Sequence, residues 1–387
     1  MVIKTDPISA YKNKEEAKFY SISRLKTYKE CGEYYRRKYV EKEPCFVQSN
    51  STVCGTLTHA ALEHFYKKYP ILSEKEKKNI NELLLDSFYE VAPSEFRNMG
   101  ISDVGSILSE LNEYYNSISN LYKRASKDYT GEDSIRTKSG GICKAPEMTS
   151  VWKKEVKSLN INFTKDIIDS TFKKSLTDYK EVSITEAYCK TINLLKQYRH
   201  PSEIINTMYC ELELSEWNEE KKEIKNPVLF PFIRNYKDNT YINGYIDNIS
   251  KIEVEGREEN CVIDYKTSKE EFSKSTVSHN QQLLLYAYCV EKLTGEEVNY
   301  IGIMSLTHNK LVYVEVDRRI QKTVLTKLAT LIELINAKLY LKNIPDSKYS
   351  KCLSSFGKEC IFLSECWSKF TQIEEEPSLD IKEYFNV

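Results

Sequence analysis

The sequence lacks the features of a secreted or membrane-spanning protein. Its longest clean apolar run, residues 283–290, is far shorter than the roughly 20 residues that cross a bilayer. The first 20 residues contain neither the apolar stretch nor the small-residue cleavage site of a secretory signal. We therefore expect a cytoplasmic protein that does not contact a membrane.

The chain also lacks an excess of charge of either sign. Its 56 Lys and Arg residues nearly match its 57 Asp and Glu residues, and the formal net charge is −1. This value excludes a histone-like coat of positive charge, although it leaves room for a local basic groove. Hydrophobic residues make up 41% of the chain, which is enough to bury a core and excludes disorder throughout.

Closely paired cysteines are absent as well. None of the eleven cysteines forms the Cys-x₂₋₄-Cys pair that structural zinc sites usually contain. A disulfide framework is not expected in a reducing cytosol. Some of these cysteines are therefore candidates for metal ligands, and the others are candidates for small buried residues.

The hydrophobic pattern is helical first, then mixed, and it ends in a cysteine-bearing tail, which predicts an α/β protein. We expect N-terminal helices in residues 1–70, a helical insertion at 71–202, a mixed α/β core at 203–345 and a C-terminal segment at 346–387. The pattern predicts helices at 21–41, 55–69, 74–121, 160–198, 281–293 and 318–341, a loop at 128–150, strands at 204–214, 228–236, 241–249 and 261–265, and a hairpin at 299–316.

Two neighbouring strands carry carboxylates and a lysine in a suggestive arrangement. Asp264 and Lys266 are two residues apart on a predicted strand, so their side chains point to the same face. Asp247 ends the preceding strand and can join them. Two carboxylates bind a divalent cation such as Mg²⁺, and an adjacent lysine orients a water or offsets phosphate charge. The pattern is typical of phosphodiester hydrolysis, although Asp-x-Lys alone occurs by chance in most proteins.

Two helices add further candidates. His59 lies at the end of the element Gly55-Thr56-Leu57-Thr58-His59, near the start of the second predicted helix. Gln282 and Tyr286 share one face of a later helix, and both side chains are able to form hydrogen bonds with a phosphate or a base. A structural histidine and a helix that packs through its leucines are the respective alternatives.

Taken in order, these residues resemble the P-D-(D/E)-x-K nuclease superfamily, and in particular its RecB-like branch. That branch includes the nuclease domains of bacterial recombination helicase–nucleases, the small CRISPR-adaptation nucleases and related phage exonucleases. The resemblance covers residues 20–65 and 205–370. It implies a restriction-endonuclease-like fold, in which helices flank a mixed central sheet, here with a large helical insertion and a terminal region stapled by an iron–sulfur cluster.

The resemblance also implies roles for single residues. His59, Asp247 and Asp264 correspond to metal ligands for Mg²⁺ or Mn²⁺, and Asp264 and Lys266 form the (D/E)-x-K pair. Gln282 and Tyr286 correspond to a Gln-x-x-x-Tyr motif that positions DNA. An acidic residue before the core hairpin is Glu213 or, equally, Glu211.

Four cysteines match the branch's iron–sulfur staple, with one before the nuclease core and three after it. These are Cys31, Cys352, Cys360 and Cys366, and the resemblance implies that they bind a [4Fe–4S] cluster. The family commonly has proline after the first cysteine, where this chain has Gly32, and Cys45 or Cys54 are alternatives to Cys31. Zinc binding and four unligated cysteines remain the rival interpretations.

A run of basic residues follows two tyrosines on the first predicted helix. Arg36, Arg37 and Lys38 come directly after Tyr34 and Tyr35, a combination that suits a single-stranded nucleic acid. Lys266, Lys269 and Lys274 add positive charge near the proposed site. The alternative for the basic run is a solvated helix face.

The sequence therefore predicts a Mg²⁺- or Mn²⁺-dependent deoxyribonuclease, an exonuclease on single strands or duplex ends, in DNA recombination, DNA repair or phage DNA metabolism. No G-x-x-x-x-G-K-[ST] motif is present, so unwinding would require a helicase or recombination partner. Two rival predictions are a non-catalytic iron–sulfur DNA-binding module and a zinc-bearing interaction protein.

Overall fold

A computed structural model describes residues 1–9, 11–44, 48–128, 168–170, 182–234, 239–341, 360–363, 365 and 366. The chain divides into two compact units. The first comprises Met1–Phe19, Phe46–Phe232 and Tyr236–Lys327, and the second comprises Tyr20–Cys45, Ile233–Asn235 and Leu328–Val387. The four-part division expected from the sequence stays a prediction.

The first unit is built on a five-stranded mixed sheet. Its strands lie in the order β2-β6-β7-β8-β9, and every neighbouring pair is antiparallel except the parallel pair β7 and β8. Two short pairs, β1 with β5 and β3 with β4, lie outside it. The strands are β1 Lys18–Tyr20, β2 Ile204–Leu214, β3 Glu216–Asn218, β4 Glu223–Lys225, β5 Thr240–Ile242, β6 Gly244–Val254, β7 Arg257–Lys266, β8 Tyr300–Ser305 and β9 Lys310–Glu315.

Several helices begin at a polar residue whose side chain caps the first turn. Ser49, for example, accepts a hydrogen bond from the backbone N–H of Thr52 and starts α3. A π-helical turn, Arg36–Val40, follows α2. The helices are α1 Ile22–Glu30, α2 Gly32–Tyr35, α3 Asn50–Lys68, α4 Glu74–Lys78, α5 Ile80–Asn98, α6 Val104–Asp128, α7 Ile184–Gln197, α8 Lys274–Ser278, α9 Gln281–Thr294 and α10 Arg318–Asn336.

Helices cover both faces of the central sheet. Alternate residues of β7, Cys261, Ile263 and Tyr265, join a buried cluster with apolar side chains of α3, α5 and α7. The intervening Asp264 points to the opposite face, where Gln282 of α9 donates a hydrogen bond to it. Because α9 connects the parallel strands β7 and β8, it crosses over that face. The mixed sheet flanked by helices confirms the predicted α/β class and is consistent with a restriction-endonuclease-like fold.

A tight turn sets the β6–β7 hairpin that brings the predicted acidic residues together. Glu255 and Gly256 both have positive φ, 50° and 76°, as the favoured two-residue hairpin turns require. The polar residues before Cys261 then pair with β6, so β7 begins at Arg257, earlier than the apolar pattern indicates.

The second unit holds its terminal segment against α2 and the turn that follows. Arg37 is only 4% exposed, and its guanidinium lies 4.8 Å from the centre of the Phe362 ring. It also forms ion pairs with Glu33 and Glu365. Residues 360–366, where described, are therefore anchored by a buried charge and by aromatic contacts.

Two predictions about single elements were wrong. The helix predicted at 21–41 is interrupted at Cys31, whose extended backbone (φ −160°, ψ 114°) ends α1 and caps α2. The strand predicted at 228–236 does not form over its described part, 228–234, where Leu229 makes a single bridge to Tyr241. Both errors arose because residue patterns do not report which backbone groups find a partner.

Several predictions fall outside the described residues. Residues 129–167 and 171–181 are among these, so the predicted loop at 128–150 and much of the helix at 160–198 are not described. Helix α6 ends at Asp128, and α7 forms the C-terminal part of the helix predicted at 160–198.

Gly32 is a sensitive position for stability. A Cβ at this residue would lie 2.7 Å from the backbone N and 2.8 Å from the backbone O of Leu341, closer than real contacts allow. We expect Gly32→Ala to lower the free energy of unfolding by about 1–3 kcal/mol, because backbone cannot yield as a flexible side chain can. Thermal and urea unfolding measure this change.

Gly55 provides the matched control. It lies inside α3, and a Cβ there meets no atom within 4 Å. Gly55→Ala should therefore stabilise the protein by about 0.5–1 kcal/mol. Equal effects from both substitutions would contradict the packing described for Gly32.

Candidate metal centre

Three side chains from three elements of the first unit converge on one point. The Nδ1 atom of His59, on α3, lies 3.1 Å from Oε1 of Glu211 on β2 and 3.7 Å from Oδ1 of Asp247 on β6. Among the described residues, these are the three that place ligand atoms within 4.8 Å of one another. An imidazole and two carboxylates at this spacing are suited to hold one metal ion.

The buried face of α3 places His59 at this point. Leu57, Ala61 and Phe65 are fully buried in the core, while His59 remains partly exposed at its edge. The ring of His59 lies 6.1 Å from that of Tyr265, edge to face. Helix packing thus fixes the imidazole above the ends of β2 and β6.

An unusual backbone conformation brings Glu211 into the group. Its φ is +50°, a region that residues other than glycine seldom adopt. Its neighbours on β2 keep a regular register, with Cys210 opposite Asn248 and Leu212 opposite Ile246. Glu211 therefore lies opposite Asp247, and its local strain is maintained by paired backbone on either side.

The structure distinguishes between the two acidic candidates on β2. Glu213 pairs across the strands with Tyr245 and accepts a hydrogen bond of 2.7 Å from its hydroxyl. Glu211, in contrast, contacts His59. The alternating pattern along β2 contains no signal for this distinction, because it does not reveal the positive φ.

Asp264 is held beside the three converging side chains by one ion pair and one hydrogen bond. Lys266 Nζ forms the ion pair with Oδ2 at 2.6 Å, and Gln282 Nε2 donates a hydrogen bond of 3.1 Å to Oδ1. Asp264 is 3% exposed, so the lysine charge and the amide donor compensate a buried carboxylate. The structure thus joins Asp264, Lys266 and Gln282, whereas the role of Asp264 as a metal ligand stays a prediction.

Tyr286 lies one turn after Gln282 and is buried next to the same carboxylates. Its hydroxyl would be 3.0 Å from a Cβ at Gly244, the first residue of β6, whose φ is +145°. Burial, together with the nearby charges of Asp247 and Asp264, raises the pKa of Tyr286 far above its usual value. The phenol therefore stays neutral, and glycine at position 244 leaves it room.

The charges at this place perturb one another strongly. Burial raises the pKa of Asp247 to about 7, with a lowering effect from His59 and a further rise from Asp264. Burial lowers the pKa of His59, but the hydrogen bond with Glu211 and the charge of Asp247 outweigh it and raise that pKa to about 9. Backbone N–H of Tyr265 also donates to Asp247 Oδ2 at 2.8 Å. A metal cation would replace these protons as the compensating charge.

The predicted cluster cysteines are not assembled into a site in the described part of the chain. Cys31, Cys360 and Cys366 do not form a group of three within the 4.8 Å that defines a single-ion site. Cys352 lies outside the described residues. The three described cysteines belong to the second unit.

Both arginines of the basic run at residues 36–38, which lies in the π-helical turn after α2, are paired with acidic side chains. Arg36 pairs with Glu33, at 2.7 Å, and with Glu41. Arg37 is buried with its own carboxylate partners, and Lys38 lies over the rings of Tyr34 and Tyr39. The two arginines therefore stabilise the second unit, and they do not offer the free charge that a nucleic-acid path requires.

Comparison with known proteins agrees with this geometry. A helix-flanked mixed sheet with converging acidic residues and a lysine defines a class of metal-dependent nucleases. The family model of the PD-(D/E)XK nuclease superfamily matches residues 20–126 and 165–366, and the chain belongs to this superfamily. Membership indicates a metal-dependent nuclease whose substrate is DNA. A search of curated protein sequences finds no match.

None of the helices in the described part of the chain combines the length and the apolar character that crossing a bilayer requires.

Metal binding should depend on pH in a defined direction. Raised pKa values mean that protons on Asp247 and His59 stabilise the metal-free fold at low pH. The stabilisation from the proton on Asp247 is complete below about pH 4 and is lost as the pH rises through about 7. The stabilisation from the proton on His59 is complete below about pH 6.5 and is lost as the pH rises through about 9. We expect the melting temperature of the metal-free protein to fall across this range.

Adding Mn²⁺ should reverse the decline, and the shift in melting temperature should grow with pH because the ligands must lose protons first. Differential scanning fluorimetry in EDTA and in MnCl₂ measures both effects. Asp247→Asn is the control, since it removes the carboxylate that titrates near pH 7. A metal-free melting temperature that is constant or rises from pH 6 to 9 would count against this account.

Proposed function

We propose that this chain is a DNA exonuclease of the RecB-like branch that hydrolyses phosphodiester bonds in single strands or at duplex ends. One observation carries the proposal. The His59, Glu211 and Asp247 group adjoins Asp264, which is paired with Lys266 and Gln282. A metal site, a lysine and a polar helix face therefore meet at one place.

The residues present fit a divalent cation. Glu211 and Asp247 supply the oxygen donors that Mg²⁺ and Mn²⁺ take, and His59 supplies a nitrogen. That nitrogen favours Mn²⁺ over Mg²⁺, which prefers an all-oxygen environment. When bound, the cation would lower the pKa of a water and polarise a phosphoryl oxygen.

The remaining residues act on the substrate and on the attacking water. Lys266 is partly exposed, and its ion pair with Asp264 already fixes the position of the ammonium. The ammonium therefore loses little side-chain entropy when it contacts a phosphate. We assign it to orient the water and offset the developing charge on the phosphate. Gln282 keeps a second amide proton after its bond to Asp264, and we assign that donor to the DNA strand.

Assignment to the RecB-like branch is supported by the positions of its other motif residues. His59 of the Gly-x-x-x-His element contacts Glu211 and Asp247. In the Gln-x-x-x-Tyr element, Gln282 donates a hydrogen bond to Asp264, and Tyr286 is buried near Asp247 and Asp264. Exonuclease activity, and a role in recombination, repair or phage DNA metabolism with a helicase partner, follow from that assignment.

Loss of either charged partner in the (D/E)-x-K pair should abolish cleavage. We expect Asp264→Asn and Lys266→Ala each to reduce the rate of phosphodiester hydrolysis by roughly 10²–10⁴-fold, since each removes a group that orients or stabilises the reacting atoms. The measurement is the release of labelled nucleotides from end-labelled DNA with MnCl₂. Lys322→Ala is the matched control, because Lys322 is an exposed lysine on α10, a helix that carries none of the proposed site residues.

The form of the DNA tests the exonuclease assignment in the same assay. Linear single strands and duplexes should be degraded, and closed circles of either kind should remain intact. Full activity in both variants would contradict the proposed site. Tight DNA binding without cleavage under any divalent metal would favour a non-catalytic DNA-binding module instead.

We also propose a [4Fe–4S] cluster in the second unit, bound by Cys31, Cys352, Cys360 and Cys366. Two contacts support a thiolate environment there. Cys31 Sγ caps α2 and accepts a hydrogen bond from the backbone N–H of Tyr34 at 3.4 Å. The hydrogen bond with Glu365 is the main cause that raises the pKa of Arg37, and the charge of Cys366 adds to this rise, which places the guanidinium near the Cys366 sulfur.

Removing one of these cysteines should remove the iron. Anaerobically purified protein should absorb near 400 nm, an approximate position typical of cysteine-bound clusters. Cys360→Ser should lose this absorbance and the bound iron and sulfide. Cys189→Ser is the control, since Cys189 has comparable intermediate exposure but lies on α7 in the first unit. A colourless protein that contains zinc would overturn the assignment.

A further inference from the structure

Tyr245 stands out as an exposed aromatic residue beside the metal centre. Its side chain is 52% exposed, although it lies within β6, a central strand of the sheet. Between Tyr245 and Asp247 lies only Ile246, which is fully buried. Because side chains alternate along a strand, Tyr245 and Asp247 point to the same face. The ring is therefore next to the candidate metal ligands on the side that solvent reaches.

The hydroxyl of Tyr245 is anchored, which limits the motion of the ring. It donates a hydrogen bond of 2.7 Å to Glu213, the residue directly opposite on β2. The ring is therefore held in one orientation by a partner whose backbone is paired in the ladder. A fixed ring loses little entropy when a flat ligand stacks on it.

The charges around the ring select which part of a nucleotide can approach. Glu211, Glu213 and Glu216 all act on the Tyr245 hydroxyl, so the phosphate of a DNA strand is repelled there. Lys266 carries positive charge beside Asp264. A strand at this site is therefore oriented with its phosphate toward the metal centre and Lys266, and with its uncharged base toward Tyr245.

We infer that Tyr245 is a stacking residue that holds one base of the DNA strand next to the scissile phosphate. This inference rests on the proposed nuclease function and adds a residue that contacts the substrate. Stacking on a ring tolerates every base, since each has a π-face. The inference thus explains how a sequence-independent exonuclease can position its strand without reading base edges.

Strand geometry indicates which base is stacked. Residues two apart on a strand are separated by about 6.6 Å. Stacked nucleotides of one DNA strand advance about 3.4 Å each. The base on Tyr245 should accordingly belong to the first or second nucleotide from the phosphate at the metal centre.

The test is a double-mutant cycle between the ring and the base. Binding is measured by fluorescence anisotropy with MnCl₂ in an Asp264→Asn background, on short single strands in which one abasic site is moved along from the end. Tyr245→Ala should weaken binding of the intact strand by about 5- to 150-fold, the range for loss of one stacked base. An abasic site at the stacked position should weaken binding to the Tyr245 protein equally, and should have little further effect on Tyr245→Ala.

Two matched variants separate stacking from folding. Tyr245→Phe keeps the ring, so it should retain most of the affinity. Tyr89→Ala removes a tyrosine of similar exposure, 43%, from α5 and should bind as the parent does. Quenching of 2-aminopurine at the stacked position should be present with Tyr245 and absent with Tyr245→Ala. In cleavage assays with Asp264 intact, KM should rise more than kcat falls.

The outcomes distinguish the inference from the function on which it rests. If the protein neither binds nor cleaves DNA, both are overturned. If it cleaves DNA but Tyr245→Ala binds the intact strand as tightly as the parent, only the stacking inference fails. It fails also if an abasic site weakens binding equally with and without the ring, because ring and base are then uncoupled.

Discussion

Mutual repulsion between buried carboxylates is the constraint on which the first unit depends. Glu211, Asp247 and Asp264 lie close together in a place that is largely shielded from water. Burial and the charges of Asp264 and Glu211 raise the pKa of Asp247. His59 and Lys266 provide partial compensation in the protein alone. This repulsion between the carboxylates favours the binding of a divalent metal ion, because the positive charge of the ion would neutralise it.

Two backbone features make that arrangement feasible. The positive φ of Glu211 turns its carboxylate toward Asp247, and Gly244 at φ +145° leaves space for the hydroxyl of Tyr286. Neither conformation is favourable by itself for an extended strand. Glu211 keeps its conformation because Cys210 and Leu212, on either side of it, both pair with β6, and Gly244 is held by its own pair with Leu214. Cys210 Sγ also donates to the Asp247 carbonyl. The rigid ladder thus supports local strain at the functional site.

In the second unit, charged side chains form ion pairs that stabilise the packing of the chain. Arg36 and Arg37 resemble a basic path in the sequence, yet Glu33, Glu41 and Glu365 compensate them. A buried arginine that lost these partners would be strongly unfavourable. The network therefore keeps residues 360–366, where described, against α2, and with them two of the cysteines proposed to bind a cluster. The ion pairs of Arg37 thus help to fix the positions of these two cysteines.

The sequence by itself determined the α/β class, the order of strands and helices around the site, and the pairing of Asp264 with Lys266. These follow from alternation along strands and from residues that are close in the chain. Only the tertiary structure decided that Glu211, and not Glu213, meets His59, that Cys31 interrupts a helix, and that residues 228–234 bridge at one point. Each depends on backbone angles and partners distant in sequence, which residue type and spacing do not encode.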